Sequence, residues 1–371
     1  MEVRLADLRA QYYELKDQID AAIVSVIESG QFSDGPRMIE LEERIAETCG
    51  ATHGIAVASG TDALVLSLVA CGIGTGDEVI TTPFTFAATT EALALLGAKA
   101  IYVDIDSCTF NIDPARIEEK VTPRTRAILP VDLYGQMADR LALVEIARRY
   151  DLRLIIDSAQ AIGARQNGQP IAVHGDTTTL SFYPTKNLGA YGDGGMVLTN
   201  DAGLAEELRS LRNHGTRHQK YLYERVGYCS RLDTIQAVVL LAKLPRLREW
   251  NEGRRRNAAR YHALLADLTK TTDLVLPQHD KGNYHIYHQY TIQHPRRDDL
   301  QKYLKQHGVE TAIYYPLPVH LQPAYAYLGY REGDFPIAER AAREVLSLPV
   351  HPELTEAQIE YVAATIRRFL A

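Results

Sequence analysis

From about Gly54 onward, short β-rich runs alternate with amphipathic helical stretches. "GIAVAS" is followed by "TDALVLSLVACG" and "DEVITTP" by "FAATTEALALLG"; then come "KAIYVDID", "RAILPVDLYG", the helix-like "RLALVEIARRYD" and "RLIIDSAQ". Such alternation predicts an α/β fold, with a mostly parallel central sheet flanked by helices on both faces. Ligands are then expected in the loops at the carboxyl ends of the strands. "TTTLSFYP" and "GGMVLTN" read as two more strands joined by a glycine-rich loop. "RLDTIQAVVLLAKLPRLREW" and "NEGRRRNAARYHALLADL" read as long helices able to bridge two domains. A large domain over 1–249 and a smaller C-terminal α+β domain over 250–371 are expected. The latter is built from "YHIYHQYTIQ", "DDLQKYLKQHG", "ETAIYYP" and a last helix that Thr355 and Gln358 open as a capping box.

Composition narrows the chemistry. The 371 residues are 46% hydrophobic with a formal net charge of -7, a globular balance without the basic footprint that nucleic acid or an anionic membrane demands. Cys49, Cys71, Cys108 and Cys229 show no paired spacing, so neither a disulfide framework nor a zinc site is expected. The N-terminal stretch lacks a signal-peptide core and no run approaches membrane-spanning length, so a soluble cytoplasmic protein is expected. Gly72, Gly74 and Gly76 mimic a dinucleotide loop but follow a helix and precede a strand, the reverse of the required order, and read as a helix end and turn. His285 and His288 are expected on one strand with opposite faces, and His214 and His218 in a polar loop, so no metal site is expected.

The loop lysine, Lys186 in "SFYPTKNLGAYGDGG", needs a reason. A surface amine is the ordinary one. The chemical alternative is a Schiff base to pyridoxal 5'-phosphate, which also requires an acid for the pyridine nitrogen, a phosphate cradle and a ring clamp. Asp157 ends the apolar run "RLII" and would reach the edge of the sheet, where a carboxylate keeps the pyridinium protonated. "SGTD" places Gly60 and Thr61 at a strand-to-helix turn whose free N–H groups suit a phosphate. Ser181 would add a hydroxyl and Phe86 would lie on the ring. Each alone has a plain alternative: a cap, a turn or a core side chain.

Together, "SGTDAL", "PFTFAATTEA", "IIDSAQAIGA" and "SFYPTKNLGAYGDGGMV" resemble the DegT/DnrJ/EryC1/StrS family of pyridoxal-phosphate-dependent sugar aminotransferases, of fold-type I, almost end to end. "FSDGP", "PVDLYGQ", "NHG", "GYCSRLDTIQA" and "YYPLPVHLQPAY" match further family blocks. The resemblance implies that Lys186 bonds the cofactor, that Asp157 faces the pyridine nitrogen, and that Gln160 sits near the phenolic oxygen. Ser181 with the Gly60–Thr61 backbone would hold phosphate and Phe86 would stack. It also implies a homodimer with shared sites, the loop over 214–231 crossing to the neighbour. Where the family carries asparagine this chain has Cys229, a weak donor, so Tyr228 or Ser230 is an alternative for that phosphate contact. Asp132 replaces a common histidine, which would alter substrate contacts. L-glutamate as amino donor and a nucleotide-linked keto-sugar as acceptor follow from the same likeness. Arg231 is a candidate fork for a carboxylate or phosphate, or else an ion-pair residue. Tyr314, Tyr315 and His320 either line the sugar pocket or pack. Two rivals stand beside this reading. One is a PLP-dependent sugar dehydratase, which carries histidine at the lysine position. The other is a regulatory or sensory protein that kept the fold without turnover.

Overall fold

The computed structural model describes residues 1–217, 219 and 221–371. Helices α1 (Leu8–Ser29) and α2 (Pro36–Cys49) precede β1 (His53–Val57), α3 (Gly60–Ala70), β2 (Glu78–Thr81), α4 (Ala87–Leu95), β3 (Lys99–Tyr102) and β4 (Thr125–Ile128). Next come α5 (Arg140–Arg149), β5 (Arg153–Asp157), a small hairpin of β6 (Arg165–Gln166) and β7 (Gln169–Pro170), β8 (Thr177–Ser181), β9 (Gly195–Thr199) and α6 (Ala202–Arg212). The chain ends through α7 (Thr234–Lys243), α8 (Leu247–Leu265), β10 (Asn283–Tyr284), β11 (Tyr290–Gln293), α9 (Arg297–Gln306), α10 (Pro336–Glu344), β12 (Val345–Leu348) and α11 (Glu356–Leu370).

Seven strands form the central sheet in the order β1-β9-β8-β5-β4-β2-β3. β9 runs antiparallel to both neighbours, and the other pairings are parallel. Six strands therefore deliver their carboxyl ends to one edge. Alternation of side chains covers both faces: Val79, Ala127 and Ile155 join one apolar cluster with Leu64 and Leu68 of α3, while Ile80, Ile128 and Ile156 join another with Leu143 and Ile146 of α5. The expectation of a largely parallel, doubly covered sheet holds.

Local signals place the boundaries. Ser59 caps α3 by accepting from Asp62 N at 3.0 Å, and the helix ends at Cys71 ahead of Gly72 at φ +78°, as the glycine reading requires. Thr355 and Gln358 make both bonds of the capping box of α11. The two long helices are separated only by a 3₁₀ turn at Leu244–Arg246. α8 joins two cores: Leu247 packs with the large-sheet side, and Ala258, Tyr261 and Leu265 pack with β11, β12, α9 and α11.

Two arrangements were not legible in the sequence. Val3, at the start of the chain, bridges Val309 and lies in the C-terminal apolar cluster. Phe335, Ala338 and Ala341, late in the chain, instead pack on the α3–α4 side of the large sheet, where Asp104 accepts from Ile337 N (3.0 Å) and Ala338 N (2.9 Å) and so caps α10. The histidine expectation needs correction. β10 ends at Tyr284, and Tyr287 at φ +47° breaks the extended backbone, so His285 and His288 occupy an irregular segment rather than one strand. His285 stacks on Tyr287 with centroids 4.0 Å apart, and both histidines are buried.

Candidate active site

The carboxyl edge of the sheet gathers Asp157 from the end of β5, Ser181 from the end of β8 and the β1–α3 turn around one cleft of about 640 Å³. Two glycines let the backbones converge. A Cβ on Gly60 would lie 2.8 Å from Ser181 Cβ, and one on Gly195 would lie 2.3 Å from the Ser59 carbonyl oxygen. Gly60 and Thr61 are the first residues of α3, so their N–H groups have no partner within the helix. With the Ser181 hydroxyl alongside, they form a cradle that a single added Cβ would fill, and the partial positive charge of the helix start favours an anion there.

Asp157 is 5% exposed. Its Oδ2 accepts from the Thr89 hydroxyl at 2.9 Å and its Oδ1 from Ala159 N at 3.1 Å. Burial pushes its pKa up, against the lowering effect of those two bonds and of Lys186. Lys186 faces the same cleft, and its Nζ makes no hydrogen bond among the described residues. Burial lowers its pKa to about 8, while Asp157 pulls the other way. For both groups, loss of water outweighs their mutual attraction. A cationic ring nitrogen beside Asp157 would supply the charge that its burial lacks. An acid, an amine and an anion cradle in one cleft are the donor set that pyridoxal phosphate requires, so the residues present fit the cofactor.

The far wall carries aromatics. Phe86, at the N-cap of α4 and 58% exposed, lies 6.1 Å from the Tyr315 ring. Gln160 Nε2 donates to the Tyr315 hydroxyl at 3.1 Å, and its Oε1 accepts from Tyr134 N at 2.7 Å, so its amide is held from both ends. The Tyr134 hydroxyl donates to the Tyr314 carbonyl. Tyr314 and Tyr315 both line the cleft.

Other expected site residues lie elsewhere in this chain. His320 is buried away from the cleft, its Nε2 3.2 Å from Glu339 Oε1 and its ring against Tyr102 and Phe335, so of its two readings the structure supports packing. Asp132 does not contact the cleft either. It is fully buried, accepts from Arg140 Nη2 at 2.5 Å and from the Ser158 hydroxyl, and so supports the site from beneath. Cys229 is exposed and outside the cleft; Arg231 donates to Asn213 Oδ1 at 2.8 Å and lies 3.6 Å from the Cys229 sulfur. Ser230 is engaged within its own chain, donating to Asp62 Oδ2 at 2.5 Å and accepting from Ala58 N. Tyr228 is partly exposed. His218 lies outside the described residues. No group of metal-ligating side chains and no helix long and apolar enough to cross a membrane occurs among the described residues.

Sequence reasoning missed Tyr183, Asp193, His288 and Gln289, which line the cleft. For His288 the sequence carries a signal in its place just ahead of β11.

A "Pleiotropic regulatory protein" of Geobacillus stearothermophilus is 51% identical over 370 residues, covering 100% of this chain and 99% of that one. A UDP-N-acetyl-3-dehydro-alpha-D-glucosamine 3-aminotransferase of Acidithiobacillus ferrooxidans is 46% identical over 368 residues, covering 99% and 98%. The crystal structure of S. venezuelae DesV in complex with a ketimine intermediate superposes with a TM-score of 0.97 at 44% identity, covering 100% of this chain and 98% of that one. The model of the DegT/DnrJ/EryC1/StrS aminotransferase family matches residues 13–367, and the chain belongs to that family.

Proposed function

We propose that this protein is a pyridoxal-phosphate-dependent aminotransferase that moves the amino group of L-glutamate onto a nucleotide-linked keto-hexose; the name of the Acidithiobacillus relative, a 3-aminotransferase of a UDP-linked 3-dehydro sugar, favours C3 as the position. The observation that carries it is the Lys186 amine, without a hydrogen-bond partner among the described residues, in one cleft with Asp157 and the Gly60–Ser181 cradle. When bound, the cofactor supplies an electron sink that acidifies the substrate carbon bearing nitrogen.

The chain's residues do the rest. Gly60 N–H, Thr61 N–H and the Ser181 hydroxyl would hold the phosphate, and Asp157 would keep the ring nitrogen protonated. Gln160, fixed by Tyr134 and Tyr315, would donate toward the ring's oxygen, and Phe86 would pack on the ring. Lys186 Nζ would anchor the cofactor at rest. Once displaced, its amine would carry the proton from the donor's nitrogen-bearing carbon to the cofactor carbon that the lysine had held, and in the opposite direction for the acceptor, a role that needs a neutral amine and is favoured by the lowering of its pKa to about 8 by burial.

A homodimer is part of this reading. Among the described residues Lys186 is the one Lys or Arg lining the cleft, yet glutamate carries two carboxylates and the acceptor a nucleotide phosphate. A second cation from a neighbouring copy would answer that need. The exposed segment bearing Val226, at 92% exposure, together with Tyr223, Cys229 and Arg231, is the candidate to deliver it. Four unpaired cysteines suit a cytoplasmic setting.

A second reading is favoured by the name of the Geobacillus relative: a cofactor-binding regulator without turnover. Adding glutamate to the cofactor-loaded protein separates the two. Conversion of the lysine-bound absorbance band to the pyridoxamine form supports transamination, and an unchanged spectrum supports the regulator. A panel of nucleotide keto-sugars with product NMR then tests the acceptor, and inactivity on all of them removes it.

A further inference from the structure

Ile162 gives direction to a chain of amides beside Lys186. A backbone carbonyl only accepts, so the Asn251 nitrogen 3.1 Å from Ile162 O is a donor and Asn251 Oδ1 faces away. That oxygen accepts from Asn187 Nδ2 at 2.7 Å. Asn187 Oδ1 is thereby turned toward His288 Nδ1, 3.1 Å away. An amide oxygen cannot donate, so Nδ1 carries the proton. Burial, reinforced by the charges of Lys186 and Arg254, keeps the ring neutral by holding its pKa well below the usual range. Nε2 is left without a proton, as an acceptor. The chain is also closed sterically: a Cβ on Gly163 would lie 2.6 Å from Asn251 Nδ2.

His288 and Lys186 line the same cleft, and Asn187, which bonds the ring, follows Lys186 directly. Asp157 and Gln160 already accept from Thr89, Ala159 and Tyr134. Among the described residues His288 Nε2 is met by the amide nitrogen of its neighbour Gln289, at 3.5 Å, and Lys186 Nζ by no hydrogen-bond partner. An acceptor nitrogen and an unengaged amine therefore belong to two residues that line one cavity.

We propose that the Ile162–Asn251–Asn187 chain holds His288 in the Nδ1–H tautomer so that Nε2 accepts an N–H of Lys186 whenever that amine is released from the cofactor. His288 is then the positioning residue that sets where the free amine waits. It transfers no proton itself; an imidazolium in its place would donate to the neutral amine's lone pair or repel the protonated amine, and accept from neither. This rests on the reading of Lys186 as the cofactor's lysine.

Long-range ¹H–¹⁵N NMR of the cofactor-free, ¹⁵N-histidine-labelled protein reads the tautomer directly. The Nδ1–H form is expected at residue 288, and Asn187→Ala, which removes the oxygen that accepts the Nδ1 proton, is expected to lose that single form. An Nε2–H ring or an imidazolium at neutral pH overturns the proposal. A second measurement adds pyridoxal phosphate to cofactor-free protein and follows the visible band of the lysine adduct, with variants matched for folded fraction by thermal melting. His288→Leu should slow the band roughly tenfold, the worth of one hydrogen bond, and His288→Gln should recover to within about twofold of wild type. Wild-type speed in His288→Leu, or no recovery in His288→Gln, overturns it. A wild-type protein that forms no band overturns the Lys186 reading and this proposal with it. That outcome is distinct from a normal wild type with an unaffected leucine variant.

Discussion

Gly60 lies so close to Ser181 that a Cβ added to the glycine would sit 2.8 Å from the serine Cβ and 3.1 Å from its hydroxyl oxygen. Real Cβ contacts do not come this near, so Gly60→Ala must push β8 away from the start of α3 and open the phosphate cradle. Affinity for pyridoxal phosphate should fall by roughly tenfold or more, with a smaller loss for Ser181→Ala, which removes one hydroxyl donor of about 1 kcal/mol. Absorbance titration of the cofactor-free variants measures both. Equal affinity in Gly60→Ala and wild type would remove the cradle from this site.

Lys186→Ala should abolish the visible band and all transamination. Borohydride reduction of the loaded wild type followed by peptide mass spectrometry should locate the adduct at residue 186 alone; a modified peptide elsewhere contradicts the assignment.

Thr89→Val leaves Asp157 Oδ2 without its 2.9 Å donor. Burial already pushes this carboxyl's pKa up, so the variant should raise it further and weaken its hold on a protonated ring nitrogen. Turnover should fall by roughly ten- to a hundredfold, as expected for a hydrogen bond to a charged group of ~1.5–3 kcal/mol, and Asp157→Asn should lose more. Steady-state rates order the three proteins.

Lys186 and Lys243 both have pKa values lowered by burial to about 8; Lys243 Nζ donates to Gly189 O at 2.7 Å and sits 4.1 Å from the Tyr191 ring centroid. In the unfolded chain a lysine holds its proton up to about 10.4. Between about pH 8 and 10 these two lysines therefore hold fewer protons folded than unfolded and add a contribution to stability that rises with pH, opposed above about pH 8.5 by Cys49 and Cys71, whose thiols burial pushes up to about 12. Urea melts of the cofactor-free protein read the lysine part as a difference: between about pH 8 and 10 the stability of Lys243→Met should rise less with pH than that of wild type. Parallel profiles of the two proteins count against burial of Lys243 as the cause.

Among the described residues Asp132 is the one carboxylate paired with the buried Arg140 side chain, whose Nε and Nη1 have no partner there. Asp132→Ala should therefore destabilise the fold by roughly 3–5 kcal/mol, the cost of stranding a buried charge, while leaving the preference among acceptor sugars unchanged. Melts and relative kcat/KM values separate the two effects. A changed preference at unchanged stability would restore the substrate role that the sequence suggested.

Much of the frame was legible in the chain because it depends on near neighbours. Hydrophobic period marked the strands Val79–Ile80 and Ile155–Ile156, side-chain chemistry marked the starts at Ser59 and Thr355, and glycine marked the stop at Gly72. The contact of Asp104 with the start of α10 was invisible, because its partners are separated by 233 and 234 residues and no local pattern announces it. The irregular run at His285–Gln289 was misread as strand since its composition is β-rich, and only the turn at Tyr287 breaks it.

For the site, the order of residues along the chain was enough to nominate Lys186, Asp157, Gly60 and Ser181, because each sits at the end of a strand or the start of a helix that short-range signals define. Which nominees share a cleft was a question of packing. Tertiary structure brought Tyr315 to Gln160 and His288 to Asn187, and it turned Asp132 toward Arg140 and His320 toward Glu339, away from the cavity. The reason is physical. Periodicity and capping act over a few residues along the backbone, whereas the direction of a side chain near the sheet edge depends on which distant partner removes the cost of burying its polar atoms.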